Sequence, residues 1–164
     1  HLRASQGFHL WGGRDYGGAD DYVPCVSCMS PLFDLQYTSK HEVVCYGHSG
    51  ARPLDTEADA LGIPYLDNTT PKSLEEAISF LASGECIVTS SFHGVYWASL
   101  LGKKVAMIPF GRKFLNLKFR PPIVDNVKDG IKEARYVGDS LADARRLNLD
   151  FALRVKDLLK SRSN

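Results

Sequence analysis

The sequence predicts an α/β domain, a Rossmann-like parallel sheet with helices on both faces. Three observations lead to it. From residue 41 onward, short β-rich runs alternate with segments of helical period, which is the pattern of βαβ units. Glycine or proline stands near the borders of most of these runs. The chain has 164 residues, 44% apolar and 24% charged, enough for one hydrophobic core and short of two full domains.

Residues 1–40 read as an irregular arm, punctuated by Gly7, Gly12, Gly13, Gly17, Gly18, Pro24 and Pro31. Short extended pieces are expected there at Phe8–Trp11 and Tyr22–Pro24. The remaining unit, 41–164, opens with Glu42-Val43-Val44-Cys45-Tyr46, a buried strand ended by Gly47. Pro53 to Leu61 follows as a helix, with Pro53 in its first turn and Gly62 at its end. Ile63 to Leu66 is a second strand, which Pro64 assigns to a sheet edge.

Ser73 and Glu76 have capping-box spacing, and Leu74, Ala77, Ile78 and Leu81 carry a second helix up to Gly84. Cys86 to Thr89 is a third strand, and Val95 to Leu101 a third helix ended by Gly102. Lys104 to Pro109 is a fourth strand. Gly111 to Pro122 is basic and irregular. Ser140 to Lys160 carries Leu141, Ala144, Leu147, Phe151, Val155 and Leu158 on one stripe, a long amphipathic helix. Asp139-Ser140 suits its start, and Lys156, Lys160 and Arg162 suit its end.

Several function classes lose support at this stage. Lys and Arg number 20 against 19 Asp and Glu, a formal charge of +1, so no global field favours nucleic acid or an anionic membrane. No apolar run reaches the roughly 18 residues of a membrane helix, and Val95 to Phe110 is cut by Lys103 and Lys104. His1-Leu2-Arg3-Ala4-Ser5 does not read as a secretory signal, so reduced thiols and a cytoplasmic location are expected. Asn68-Thr69-Thr70 matches a glycosylation sequon but reads as a loop before a helix. Neither G-x-x-x-x-G-K-[ST] nor a helix-opening G-x-G-x-x-G occurs, which turns the sequence away from P-loop and dinucleotide enzymes.

The four cysteines are Cys25, Cys28, Cys45 and Cys86. Cys25-Val26-Ser27-Cys28 is a C-x-x-C spacing, half a zinc site or a redox pair. No second C-x-x-C exists, and His41 and His48 are not at partner spacing. Pro24 and Met29-Ser30-Pro31 put the pair in a turn-rich loop, where a redox motif would want a helix start. Cys45 and Cys86 sit in strand-like runs as small hydrophobes. Packing roles are favoured over a metal or a disulfide.

Ligands of an open α/β sheet bind beyond the carboxyl ends of its strands. Three such ends are legible: Gly47-His48-Ser49-Gly50-Ala51-Arg52, Ser90-Ser91-Phe92-His93-Gly94, and Phe110-Gly111-Arg112-Lys113. The second passes from strand to helix through two hydroxyls, an imidazole and a glycine. A helix start offers backbone N–H groups to an anion, Ser90 and Ser91 add hydrogen bonds, and Gly94 admits a ligand to the backbone. His93 would donate to phosphate or move a proton. The plainer alternative is an N-cap at Ser91 and a packed histidine at 93. His48, Arg52, Arg112 and Lys113 would surround the same crevice with cations if the strands are neighbours.

Ser73 to Gly94, continued by Trp97-Ala98-Ser99-Leu100-Leu101-Gly102-Lys103-Lys104-Val105, closely resembles the C-terminal half of the polysaccharide pyruvyl transferase family. There a strand ends in a Thr-Ser-x-x-His-Gly turn, followed by a helix and a Leu-Gly-Lys-Pro-like turn. Gly13-Arg14-Asp15-Tyr16 and Tyr22 to Asp34 look like the segment joining that family's two halves. The resemblance spans most of residues 10–110 and is specific around Ser91-Phe92-His93-Gly94. It implies one half of a glycosyltransferase-B-like fold, phosphoenolpyruvate as donor, a saccharide acceptor and no further cofactor. It also implies a missing N-terminal half or a second subunit. His93 would then act at the donor site. Many members carry Arg-Leu-His-Gly, whereas Ser91 stands here at the arginine position, leaving Arg112, Lys113 or Arg52 to bind the anion. Two other expectations remain beside it: a nucleotide-sugar-binding domain of a glycosyltransferase, and a non-catalytic binding or assembly module.

Overall fold

The computed structural model describes residues 8–17, 21–50, 54–111, 114, 116–137 and 140–161. In the arm, β1 (Gly12–Gly13) and β2 (Asp21–Tyr22) pair in parallel, and two short 3-10 helices follow at Val26–Met29 and Pro31–Asp34. The first strand thus directly follows the expected Phe8–Trp11 piece, and the second overlaps the expected Tyr22–Pro24 at Tyr22. The C-x-x-C is wound into the first 3-10 helix.

The chain then builds a four-stranded parallel sheet from β3 (His41–Gly47), β4 (Tyr65–Asp67), β5 (Gly84–Thr89) and β6 (Lys104–Met107). The order is β4-β3-β5-β6, with Cys45 opposite Tyr65, Val43 opposite Cys86 and Val88 opposite Ala106. The helices are α1 (Leu54–Ala60), α2 (Leu74–Ala82), α3 (Phe92–Leu100), α4 (Val127–Glu133) and α5 (Ser140–Ser161). The α/β architecture with a parallel sheet is thus present, and the proline-marked strand lies at an edge.

Side chains alternate across each strand, so one sequence covers two faces. Cys45, Cys86, Val88 and Ala106 pack with Leu54 and Ala58 of α1 and Val127 of α4. Val44, Tyr46, Ile87 and Val105 point the other way, onto Leu81 of α2 and Ala98 of α3. Right-handed crossovers produce this division. The step from β3 to β4 runs in one direction along the sheet, and the later steps to β5 and β6 run in the other. Their helices consequently lie on opposite faces.

Boundaries follow local chemistry. Ser73 Oγ accepts from the Glu76 N–H at 3.1 Å, and Glu76 Oε2 accepts from the Lys72 N–H at 2.8 Å. Gly62 and Gly102 close their turns at φ +64° and +65°, a region side chains disfavour. Gly84 does not stop α2. Ser83 is its C-cap, and Gly84 is the first residue of β5, paired with His41. Helix α3 begins at Phe92, three residues ahead of Val95, because Ser91 caps it. Pro53 and Asp139, assigned to helix starts, lie outside the described residues, as does Arg162.

Helix α4 is short and has no strong periodic signal in the sequence. Asn126 Oδ1 accepts from the Asp129 N–H at 2.9 Å, and Glu57 of α1 accepts from the Val127 N–H at 2.8 Å. Gly130 lets it lie close on β5, since a Cβ there would come within 2.8 Å of Val88. The stripe expected on α5 is the inward-facing one: Ala144 is buried, and Leu141, Leu147, Phe151, Val155 and Leu158 are partly covered. It packs beside the arm, where Cys28 and Phe33 share a cluster with Ile78, Tyr96, Leu100 and Ala144. Arg145 fastens the two, donating to Cys28 O at 2.8 Å and Ser30 O at 3.2 Å and forming two bonds to Asp34 at 2.6 and 2.9 Å.

Candidate functional site

The sheet order reverses between β3 and β5, since the chain leaves β3 to one side and resumes at β5 on the other. The carboxyl ends of those two strands flank the switch point, where open α/β sheets form their ligand crevice. His48 follows the first strand and Ser90 to Gly94 the second, so the two loops are neighbours.

Three hydroxyls hold this corner together. Ser90 Oγ accepts from the His48 N–H at 3.0 Å, across 42 positions of sequence. Thr89 Oγ1 donates to Tyr46 O at 2.5 Å and accepts from the Ser91 N–H at 3.0 Å. Ser91 Oγ accepts from the Gly94 N–H at 3.3 Å and caps α3. Thr89, Ser90 and Ser91 are all buried. Both serine hydroxyls therefore have intramolecular partners in the strand-to-helix turn. In the sequence Thr89 reads as the last strand residue and as the Thr of the Thr-Ser-x-x-His-Gly turn, with no sign of its two hydrogen bonds.

Gly94 faces the sheet. A Cβ on it would fall 2.2 Å from Thr89 Oγ1 and 2.8 Å from Tyr46 Cδ1. Its lack of a side chain is accounted for by close packing of α3 on β3 and β5, without any ligand. The sequence alone reads the same glycine as room for a ligand.

His93 stands one residue earlier, partly exposed, with its ring stacked on Trp97 at 4.9 Å and 27°. The arm closes on this side. Trp97 Nε1 donates to Ser27 Oγ at 3.0 Å, Ser27 Oγ donates to Cys25 Sγ at 3.3 Å, and Tyr96 Oη donates to Cys25 O at 2.8 Å. The neighbouring His93 side chain, by hydrogen bonding to the thiolate form, lowers the Cys25 pKa to about 6, against the opposing effect of burial and with help from Ser27. Nothing in the local sequence pairs residue 25 with residue 93. The only hint was the C-x-x-C spacing itself.

A cation that the strand-end loops did not disclose also reaches α3. Arg14, from the arm, places its guanidinium 4.4 Å from the centroid of the Phe92 ring, a cation–π contact beside His93. His48 packs its ring 4.4 Å from that of Phe110, so the first and third loops meet. Its Nδ1 accepts from the Gly50 N–H at 3.1 Å, which in the neutral ring leaves Nε2 as the donor. Arg52, Arg112 and Lys113 lie outside the described residues. Asp67, at the end of β4, has its carboxyl lowered by hydrogen bonds from Thr69 and Thr70. The adjoining Asn68 Oδ1 accepts from the Ser49 N–H at 2.9 Å.

A small, partly open cavity of about 20 Å³, room for a single water, lies between Tyr22, Tyr96, Leu117 and Lys118, and none of the strand-end residues lines it. Among the described residues no three His, Cys, Asp or Glu side chains gather as metal ligands. No described helix is long and apolar enough to cross a membrane. The arrangement can offer a small anion an imidazole and a guanidinium at the head of a helix. Compared with protein-family models, with curated proteins and with solved structures, the chain finds no match.

Proposed function

We propose that this chain is the Rossmann-like donor-binding half of a polysaccharide pyruvyl transferase-type enzyme, glycosyltransferase-B-like in its complete form. In that reading it binds phosphoenolpyruvate at the β3/β5 switch point. It would act in the cytoplasm on a saccharide destined for a surface polysaccharide, with an N-terminal half or second subunit supplying the acceptor side. The observation that carries the reading is the convergence at the start of α3. The resemblance pointed to Ser91-Phe92-His93-Gly94, and that turn sits where the sheet order reverses, with Arg14 over Phe92. Arg14 supplies a guanidinium near the place where the family's arginine is replaced by Ser91.

The chemistry asks for an anion clamp and a proton. One sugar hydroxyl adds to C2 of the enolpyruvyl group while the methylene carbon gains a proton. Phosphate then leaves and the second hydroxyl closes the cyclic ketal, its proton passing to phosphate or solvent. His93 binds the phosphate or supplies the proton. Arg14 balances the donor's negative charge and His48 Nε2 donates a hydrogen bond to it, with Arg52, Arg112 and Lys113 as further candidates.

A specific observation favours a second reading, a non-catalytic binding or assembly module. Ser90, Ser91 and Gly94 are each engaged in holding the turn. Thermal unfolding with phosphoenolpyruvate, UDP-sugars and GDP-sugars separates the alternatives. At a hundredfold excess over Kd, binding adds about 2.7 kcal/mol, roughly 5–10 °C in Tm for a chain of this size. The donor reading expects that rise with phosphoenolpyruvate and its loss in His93→Ala. A rise with a nucleotide sugar alone would transfer the site to a glycosyltransferase. No rise with any of them favours the module.

A further inference from the structure

We propose that Cys25 and Cys28 form a thiol–disulfide exchange site on the wall of the His93 crevice, with small disulfides as substrates. Four features of the geometry carry this, and none depends on the donor reading. First, the Cys28 N–H donates to Cys25 O at 3.3 Å, closing a turn across the pair. Such a turn holds its end Cα atoms within about 7 Å, overlapping the range of about 4.4–6.8 Å that a disulfide spans.

Second, the two cysteines are unequally accessible. Cys25 is partly exposed, whereas Cys28 is fully buried, so an incoming disulfide meets Cys25. Third, a donor is aimed at Cys25. Ser27 Oγ donates to its sulfur, Trp97 Nε1 donates to Ser27 Oγ, and His93, stacked on Trp97, is the main influence lowering the thiol. Hydrogen bonds to a thiolate stabilise it, and the thiolate is the nucleophile. Fourth, Cys28 sits beside Asn148, whose Nδ2 donates to its sulfur at 3.4 Å, and burial keeps it a thiol until it is needed. Cys45 and Cys86 show the contrast. Both are buried in the sheet, and burial pushes their thiols up.

The reaction balances as two exchanges. The Cys25 thiolate attacks one sulfur of R–S–S–R, forming Cys25–S–S–R and releasing RS⁻, which takes a proton from solvent. Cys28 loses its proton and attacks the Cys25 sulfur, closing Cys25–Cys28 and releasing the second RS⁻. The protein dithiol is oxidised by two electrons, and the small disulfide is reduced to two thiols. The titratable and charged groups facing the pair are His93 and Tyr96 of α3, Arg145 of α5 and Tyr22 of the arm.

The test uses the full chain with oxidised glutathione and with iodoacetamide, read cysteine by cysteine by peptide mass spectrometry. Wild type should form the internal Cys25–Cys28 disulfide, Cys28→Ser should stop at glutathione on Cys25, and Cys25→Ser should form neither. Alkylation of Cys25 should reach half its maximal rate near pH 6, and H93Q should slow it roughly tenfold at that pH, the lower thiolate fraction outweighing higher intrinsic nucleophilicity. If H93Q loses its native circular dichroism, Ser27→Ala replaces it and should move the profile upward by a smaller step. A wild-type Cys25 profile centred above about pH 8 overturns the proposal. So does glutathione remaining on Cys25 in wild type with no internal disulfide.

Discussion

Gly94→Ala tests whether the glycine beside His93 is there for the sheet. The added methyl would lie 2.2 Å from Thr89 Oγ1, 2.8 Å from Tyr46 Cδ1 and 3.2 Å from Thr89 Cβ. Thr89 is fully buried and Tyr46 is only 2% exposed, so neither has solvent to move into. Overpacking of this kind costs about 1–3 kcal/mol. Displacing Thr89 Oγ1 also disturbs the bonds to Tyr46 O and from the Ser91 N–H, worth about another 1 kcal/mol. A total near 3 kcal/mol, at a urea slope of about 2 kcal/mol per M, lowers the unfolding midpoint by about 1.5 M.

A double-mutant cycle identifies the cause. Thr89→Ala removes the atom the methyl strikes, so the double variant should be more stable than the summed single effects by at least about 1 kcal/mol. Urea titration followed by tryptophan fluorescence reads all four proteins. A midpoint for Gly94→Ala within about 0.25 M of wild type would refute the packing account. Strict additivity with Thr89→Ala would refute the assignment of the clash to Oγ1.

Two further perturbations address the arm and the last helix. The Lys118 ammonium, and after it Arg146, hold the Asp143 carboxyl below its usual range. A depressed folded pKa means stabilisation present above the unfolded value near 3.9 and lost as pH falls through the folded one. Asp143→Asn should therefore cost about 1 kcal/mol at pH 7, with the difference shrinking as pH falls below the unfolded value near 3.9; denaturant titrations at pH 7 and through the acid range check it. Arg145→Lys loses the two-pronged bond to Asp34 and cannot reach both Cys28 O and Ser30 O at once. Hydrogen exchange should speed up over residues 25–35 while β3 and β5 stay protected, and unchanged exchange in the arm would contradict that role.

What the sequence disclosed is what period and composition encode. Val43 to Tyr46 and Cys86 to Val88 are continuous apolar runs because both faces of their strands are covered. The α5 stripe was legible because one face of a long helix repeats every three to four residues. Helix α4 was not. Val127 to Glu133 spans two turns with a glycine inside, and that glycine makes sense only beside Val88.

The site was half legible for a related reason. Strand-to-helix turns can be read from order, so Ser90 to Gly94 and His48 stood out. Which atoms those residues use cannot be read locally. Ser90 answers to His48, Gly94 to Thr89 and Tyr46, and His93 to Cys25. Arg14 lies in a segment that carries the family resemblance, but nothing local marks it as a cation of the site, because its partner Phe92 is remote in sequence.

The outer edge of β6 has a bearing on self-association. Met107 exchanges main-chain bonds with the segment around Ile123, donating to Pro122 O at 2.9 Å and accepting from the Val124 N–H at 3.0 Å, and Val105 does the same with Arg135. That flank is occupied by the chain itself. The opposite flank, β4, is three residues long and is preceded by Pro64. A foreign strand would find few consecutive groups to pair with on either side, which guards the sheet against edge-to-edge stacking into fibres. Copies of this chain, or a companion subunit, would have to meet it through side chains on its helices and arm, where Leu149, Leu153 and Leu159 of α5 are more than half exposed.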